Sequence, residues 1–157
     1  MNRKGSGKSL LMFAFFIFAL GQLTACSGGS GDSPKEVVIK LFGAMERDDR
    51  DAIPYLIDLP AMMNISGEDY ALQTDSPRVF HNPMDVLDDL TGAGLTKTRW
   101  FSMQRVIGNT DITGDTAFVE VSFINKKSGT QYYNRFGLHK VSGRWQIYSF
   151  KTATGDN

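Results

Sequence analysis

The sequence predicts an α+β domain in which helices near the amino end pack on an antiparallel sheet. Apolar residues recur at helical spacing in segments between residues 34 and 90. From Thr96 onward the spacing changes to every second residue, which is typical of strands that have one buried face. Helices followed by a meander of strands are the arrangement of an α+β fold.

Three helices are predicted from their start and stop signals. Ser33-Pro34-Lys35-Glu36 forms a capping box, with serine as the cap, proline at the first helical position and glutamate at the third. Asn82 before Pro83 is a second start signal. The first predicted helix begins at Pro34 and frays over 46–50. The second spans 51–57 and ends before Pro60. The third begins at Pro83 and ends at Gly92 and Gly94. Residues 60–80 are predicted to form a loop or small helical turns.

The strands are predicted from alternation and from the turns between them. The last three are the clearest, because Lys126-Lys127-Ser128-Gly129 and Ser142-Gly143 are typical hairpin connections. The predicted segments are a loosely alternating stretch over 97–107, a turn-rich connection over 108–115, and strands over 117–123, 132–141 and 145–150.

Charge is distributed unevenly along a chain whose net charge is zero. Residues 26–95 hold 5 basic and 13 acidic side chains, whereas residues 96–157 hold 9 basic and 4 acidic ones. We expect the two halves to pack together and to offset each other, and the alternative is a basic sheet face that attracts an anion. No dense basic cluster indicates nucleic-acid binding.

The amino end has the order of a secretory signal peptide. Three basic residues precede the uncharged run 10–20, and small residues follow it. That run is too short to span a bilayer as a helix. Leu23-Thr24-Ala25-Cys26 then resembles the lipobox of bacterial lipoproteins. The resemblance implies that the Cys26 thiol is joined to diacylglycerol, that the chain is cleaved before Cys26, and that the new amine is acylated with a fatty acid such as palmitate. Ser27 is not the aspartate that typically retains such proteins in the inner membrane, so the resemblance implies the inner leaflet of the outer membrane in a Gram-negative host.

This interpretation divides the chain into three parts. Residues 1–25 are a signal peptide that is removed, residues 26–33 are the lipidated cysteine and a Gly/Ser tether, and residues 34–152 are a single domain. Cys26 is the only cysteine, so its lipidation leaves no disulfide and no thiol chemistry.

Motifs at both ends of this domain resemble the nuclear transport factor 2-like superfamily, which includes ketosteroid-isomerase-like and lumazine-binding-like domains. At the start, the capped helix runs into Phe42-Gly43-Ala44-Met45. At the end, 138–147 reads LHKVSGRWQI, which is similar to the ending of small lipoproteins of this superfamily. The resemblance covers about residues 33–150. It implies a curved sheet wrapped around the first helix to form a cone with a cavity.

No residue carries a catalytic role over from that superfamily. Its enzymes use Asp, Tyr or His/Asp groups in the cavity, and Asp69, Asp75, His81 and Asp85 are not tied to one chemistry by spacing. We predict no catalytic residue and no cofactor. We also predict no metal site, because two histidines and one lipidated cysteine do not supply three or four convergent ligands.

An apolar ligand pocket is one alternative to an aromatic core, and an arginine would then fix an anionic group. The candidate pocket residues are His81, Arg99 and Tyr133. His139 is expected to be exposed or packed against an aromatic ring.

Three functions follow as hypotheses. The first is a lipid-anchored, non-catalytic module that binds a protein partner or a small apolar ligand in the cell envelope. The second is a cavity enzyme of isomerase, dehydratase or hydrolase type. The third is a structural subunit of an envelope or secretion assembly, for which an exposed apolar patch or a free edge strand is expected.

Overall fold

The computed structural model describes residues 31–64 and 80–153. The chain divides into two units, Met1–Gly31 and Asp32–Asn157, and every element named here lies in the second. Among the described residues, the elements in chain order are α1 Pro34–Glu46, α2 Ile53–Leu56, α3 Leu59–Met63, α4 Pro83–Leu90, α5 Leu95–Phe101, β1 Gln104–Thr113, β2 Thr116–Ile124, β3 Gln131–Val141, β4 Arg144–Ser149 and β5 Thr152–Ala153. The predicted α+β class is confirmed.

The sheet is an antiparallel meander in the order β1-β2-β3-β4, and β5 pairs with β3 as well. β2 and β3 pair without interruption, with Val119 opposite Phe136. Register shifts interrupt the β1–β2 pairing between Ile107 and Thr110 and the β3–β4 pairing between Gly137 and Leu138. Such irregularities bend the strands that contain them, which curves the sheet around the helices.

The first helix begins as its capping box predicts. The Glu36 N–H donates to Ser33 Oγ at 3.3 Å, and the Ser33 N–H donates to Glu36 Oε2 at 2.7 Å. Hydrogen bonds from the Ser33 backbone N–H and from the Ser33 side chain to the Glu36 carboxylate hold the pKa of Glu36 below its ordinary value. The apolar stripe of α1 is buried in the core, including Val38, Leu41 and Met45.

The segment 95–101 differs from the prediction, because it is a helix and not part of an alternating strand. Thr96 and Trp100, one helical turn apart, are both buried, so the apolar spacing here follows a helix face. The predicted connection over 108–115 is also wrong, because β1 continues to Thr113. The register shift between Ile107 and Thr110 accommodates Gly108 within that strand.

Pro60 does not end a helix as predicted. It lies in the first turn of α3, where its missing N–H costs no helical hydrogen bond. The helix before it, α2, ends at Leu56. The lipobox residues Leu23–Cys26 and the acids Asp69 and Asp75 lie outside the described residues.

Candidate functional site

The inner face of the sheet is covered by aromatic rings that pack against one another. Trp100 of α5 stacks on Phe123 at 5.1 Å between ring centroids, and it meets Phe136 at 5.4 Å and Phe150 at 5.1 Å. Phe42 of α1 closes the cluster with its ring centroid 5.8 Å from that of Trp100. The rings of Trp100, Phe123, Phe136 and Phe150 are fully buried. In the described part of the domain, aromatic side chains therefore occupy the space where α1 and α5 meet the sheet.

Two polar atoms are buried at this inner face without a hydrogen-bond partner. They are the donor Trp100 Nε1 and the acceptor Asn134 Oδ1. Asn134 lies on β3 two residues before Phe136, and its side-chain amide donates to the Phe150 carbonyl at 3.1 Å. Trp100 is thus part of the aromatic cluster, and Asn134 lies at its border. A buried donor or acceptor that lacks a partner is destabilising.

The outer face of the sheet exposes several large side chains. Val106, Phe118 and Tyr133 are each more than one-third exposed, and all three alternate with residues that face the core. The Arg135 guanidinium lies 4.7 Å from the Phe118 ring centroid and 3.6 Å from Asp111 Oδ2. This face therefore combines aromatic and aliphatic groups with a cation.

A histidine–carboxylate pair lies at the β4 end of the sheet. His139 Nε2 is 2.8 Å from Asp58 Oδ2, and the side chains are 32% and 19% exposed. The His139 ring also packs against Tyr148, with 5.0 Å between ring centroids, which confirms its predicted contact with an aromatic residue. Sequence reasoning missed Asp58, although an aspartate just before Leu59-Pro60 is a helix-cap signal. Its side chain caps α3 by accepting from the Ala61 N–H at 3.0 Å.

An open depression of about 600 Å³ lies where the end of α1 meets the α4–α5 turn. Arg50 Nη1 reaches Asp88 Oδ1 at 2.7 Å and Thr91 Oγ1 at 2.9 Å. Asp48 accepts from Lys97 Nζ and from the Gly92 N–H, and these two hydrogen bonds hold the pKa of Asp48 below its ordinary value. Each charged group that lines the depression is therefore paired, Arg50 with Asp88 and Asp48 with Lys97.

The three residues predicted as a pocket lie in three different parts of the described structure. His81 precedes α4, Arg99 lies in α5, and Tyr133 lies on β3. The His81 side chain is 81% exposed, and its backbone N–H donates to Asp85, which lowers the pKa of that carboxyl. Tyr133 faces away from the core, between the inward-facing Tyr132 and Asn134.

Arg105 is a charged group at the border of the core. Its guanidinium lies 3.9 Å from the Phe101 ring centroid and 5.6 Å from that of Phe42. Burial lowers the pKa of Arg105, and the nearby charge of Glu46 opposes that shift. Its contacts with two rings make it a packing residue of the α1–α5 corner.

Residues 31–64 and 80–153 contain neither a cluster of metal ligands nor a membrane-spanning helix. No group of three or more histidine, cysteine or carboxylate side chains in these ranges is placed to hold a metal ion. No helix in them is long and apolar enough to cross a membrane.

Comparison with known proteins identifies the fold. A designed NTF2-like protein of known structure is similar to this chain, with a TM-score of 0.51, 13% sequence identity, and coverage of 76% of this chain and 95% of that one. No protein-family model and no curated protein matches the chain. The domain has an NTF2-like fold, as the motifs at its two ends imply.

Proposed function

We propose that this protein is a lipid-anchored protein of the bacterial envelope whose NTF2-like domain is a non-catalytic module that binds a protein partner. The leader sequence, with its lipobox-like string ending at Cys26, supports the anchor. Two features of the folded domain support the rest, one on each face of the sheet.

The cluster of buried aromatic rings on the inner face is the observation that carries the proposal. A ligand site in an NTF2-like domain needs space between the helices and the sheet. Here the rings of Trp100, Phe123, Phe136 and Phe150 occupy that position among the described residues, in direct contact with one another. This arrangement favours recognition at the surface over binding of a small molecule inside.

The composition of the outer face favours a protein as the partner. Aromatic residues and arginine are enriched at the centres of protein–protein interfaces. Phe118, Tyr133 and Arg135 lie together on this face, with Val106 and Ser122 in one row with Tyr133 across three strands. Exposed apolar groups that share one face mark an interaction surface more strongly than the single exposed residues of the helices do.

Site-specific photo-crosslinking tests the surface. A photoreactive phenylalanine derivative at Tyr133, which is 51% exposed on the outer face, should form an adduct with another envelope protein in cells. The matched control is the same substitution at Tyr55, a tyrosine that is 64% exposed on α2. Equal adducts at both positions, or none at Tyr133, would contradict the proposal. An adduct with a second copy of the chain would show that the partner is another copy of this protein.

Metabolic labelling tests the anchor separately. Cells given a clickable fatty acid should label the wild-type protein and leave Cys26→Ser unlabelled. The labelled protein should fractionate with the outer membrane of a Gram-negative host, because Ser27 follows the cysteine. Label on Cys26→Ser, or none on the wild type, would remove the anchor from the account without affecting the proposed interaction surface.

A further inference from the structure

The free edge of β4 is covered by residues 54–58, which we call the strap. Ile57 forms a parallel bridge with Ile147, and the Asp58 N–H donates to the Ile147 carbonyl at 2.9 Å. The Gln146 side-chain amide reaches the carbonyls of Pro54 and Tyr55, each at 3.4 Å. The Ile147 carbonyl at the middle of β4 is therefore satisfied by the strap instead of by another strand.

One side chain of the strap reaches past β4 to the next strand. Asp58 divides its carboxylate between two tasks, because Oδ1 caps α3 and Oδ2 contacts His139 Nε2 at 2.8 Å. The Tyr148 ring flanks His139, and it lies so close to Gly137 that a Cβ there would be 2.8 Å from Tyr148 Cζ. The imidazole is thus held between a carboxylate and an aromatic ring in a half-buried position.

Asp58 is the carboxylate that contacts His139, and the other groups around the imidazole are uncharged or paired elsewhere. On β2 the residue opposite His139 is the uncharged Thr116, and on β4 it is Gln146. Tyr148 is the titratable group that faces it from β4. The neighbouring charges form their own pair, with Lys140 Nζ 3.2 Å from Asp115 Oδ1, and Arg144 lies farther along the hairpin opposite Val141.

We propose that the Asp58–His139 pair is a pH-sensitive clip that holds the strap on the edge of β4. Histidine changes its charge near neutral pH, roughly at pH 6.5 when unperturbed. Protonated His139 makes a charge-assisted hydrogen bond to the Asp58 carboxylate, and neutral His139 makes a weaker one. The strap is therefore held more tightly on the acid side of neutrality and opens more often on the alkaline side. Its opening uncovers the Ile147 carbonyl at the edge of β4.

Amide hydrogen exchange of the detergent-solubilised full chain tests the clip. After correction for intrinsic exchange rates, the protection of the Asp58 amide should be about fivefold greater at pH 5.5 than at pH 8.0, the increment from a neutral to a charged hydrogen bond. His139→Gln should show equal protection at both pH values. The chain has two histidines, and His81→Gln, which alters the exposed one, should behave as the wild type does.

Three results would overturn the clip. They are pH-independent protection in the wild type, pH-dependent protection that persists in His139→Gln, and loss of the dependence in His81→Gln. If His139→Gln does not fold, Asp58→Asn replaces it, because asparagine can still cap α3 while it removes the charge. Its protection should likewise be independent of pH in this range, and a retained dependence would contradict the proposal.

Discussion

Asp48 shows how one residue can end a helix and join two parts of the domain. It follows the C-cap residue of α1 with φ of 57°, in the left-handed conformation that aspartate tolerates better than most residues. Its carboxylate accepts from the Gly92 N–H and from Lys97 Nζ. The Lys97 contact also joins the acidic half of the sequence to the basic half, in line with the expected packing of the two halves.

The pH dependence of unfolding tests this role of Asp48. Because its hydrogen bonds lower the pKa of Asp48 in the folded state, the carboxylate contributes stability above the unfolded pKa of roughly 4. That contribution is lost as the pH falls through the folded pKa. Asp48→Asn, which tolerates the same backbone conformation, should therefore lose less stability than the wild type between pH 4 and pH 2 in urea titrations. Parallel curves for the two proteins would contradict this assignment.

At the scale of elements, the sequence predicted those helix and strand boundaries that a capping or turn residue beside them determines. The capping box starts α1, Asn82 caps α4 by accepting from the N–H groups of Met84 and Asp85, and the turn at 142–143 joins β3 to β4. The error at 95–101 arose because Phe101 and Met103 are two residues apart, as in a strand with one buried face. Burial of Trp100 among rings from other elements decides for a helix. The turn-rich composition of 108–113 failed as a signal because pairing with β2 overrides it.

Two glycines of the helical region should respond in opposite ways to alanine. A Cβ on Gly94, at the start of α5, would lie 2.3 Å from the carbonyl oxygens of Asp88 and Asp89, so Gly94→Ala should destabilise the domain by roughly 2 kcal/mol or more. Within α1, a Cβ on Gly43 would meet only the flexible end of Arg47 at 3.3 Å. Gly43→Ala should therefore stabilise the domain by roughly 0.5–1 kcal/mol.

Urea unfolding of both variants measures these effects. The wild type supplies the reference, and each variant supplies the control for the other, because the chemical change is the same. Equal shifts in one direction would show that the close backbone approach at Gly94 does not govern the packing of α5 against α4.

At the scale of the whole molecule, the sequence predicted the fold but not the contacts between residues that are far apart in the chain. The NTF2-like resemblance of the two ends of the domain was correct, because turn and core positions leave local patterns. Asp58 and His139 are 81 residues apart, and no spacing rule brings them together. The same limit applies to Trp100, whose neighbours come from α1, β2, β3 and the segment after β4.

Native mass spectrometry of the protein extracted with its membrane partners tests the central claim most directly, namely that the domain recognises a protein at its surface and not a small molecule inside. The account predicts an acylated chain that starts at Cys26, in complex with a protein, and a dissociated domain whose mass carries no further adduct. A small molecule retained stoichiometrically by the dissociated domain, and released only on unfolding, would contradict the account and support an interior ligand or substrate site.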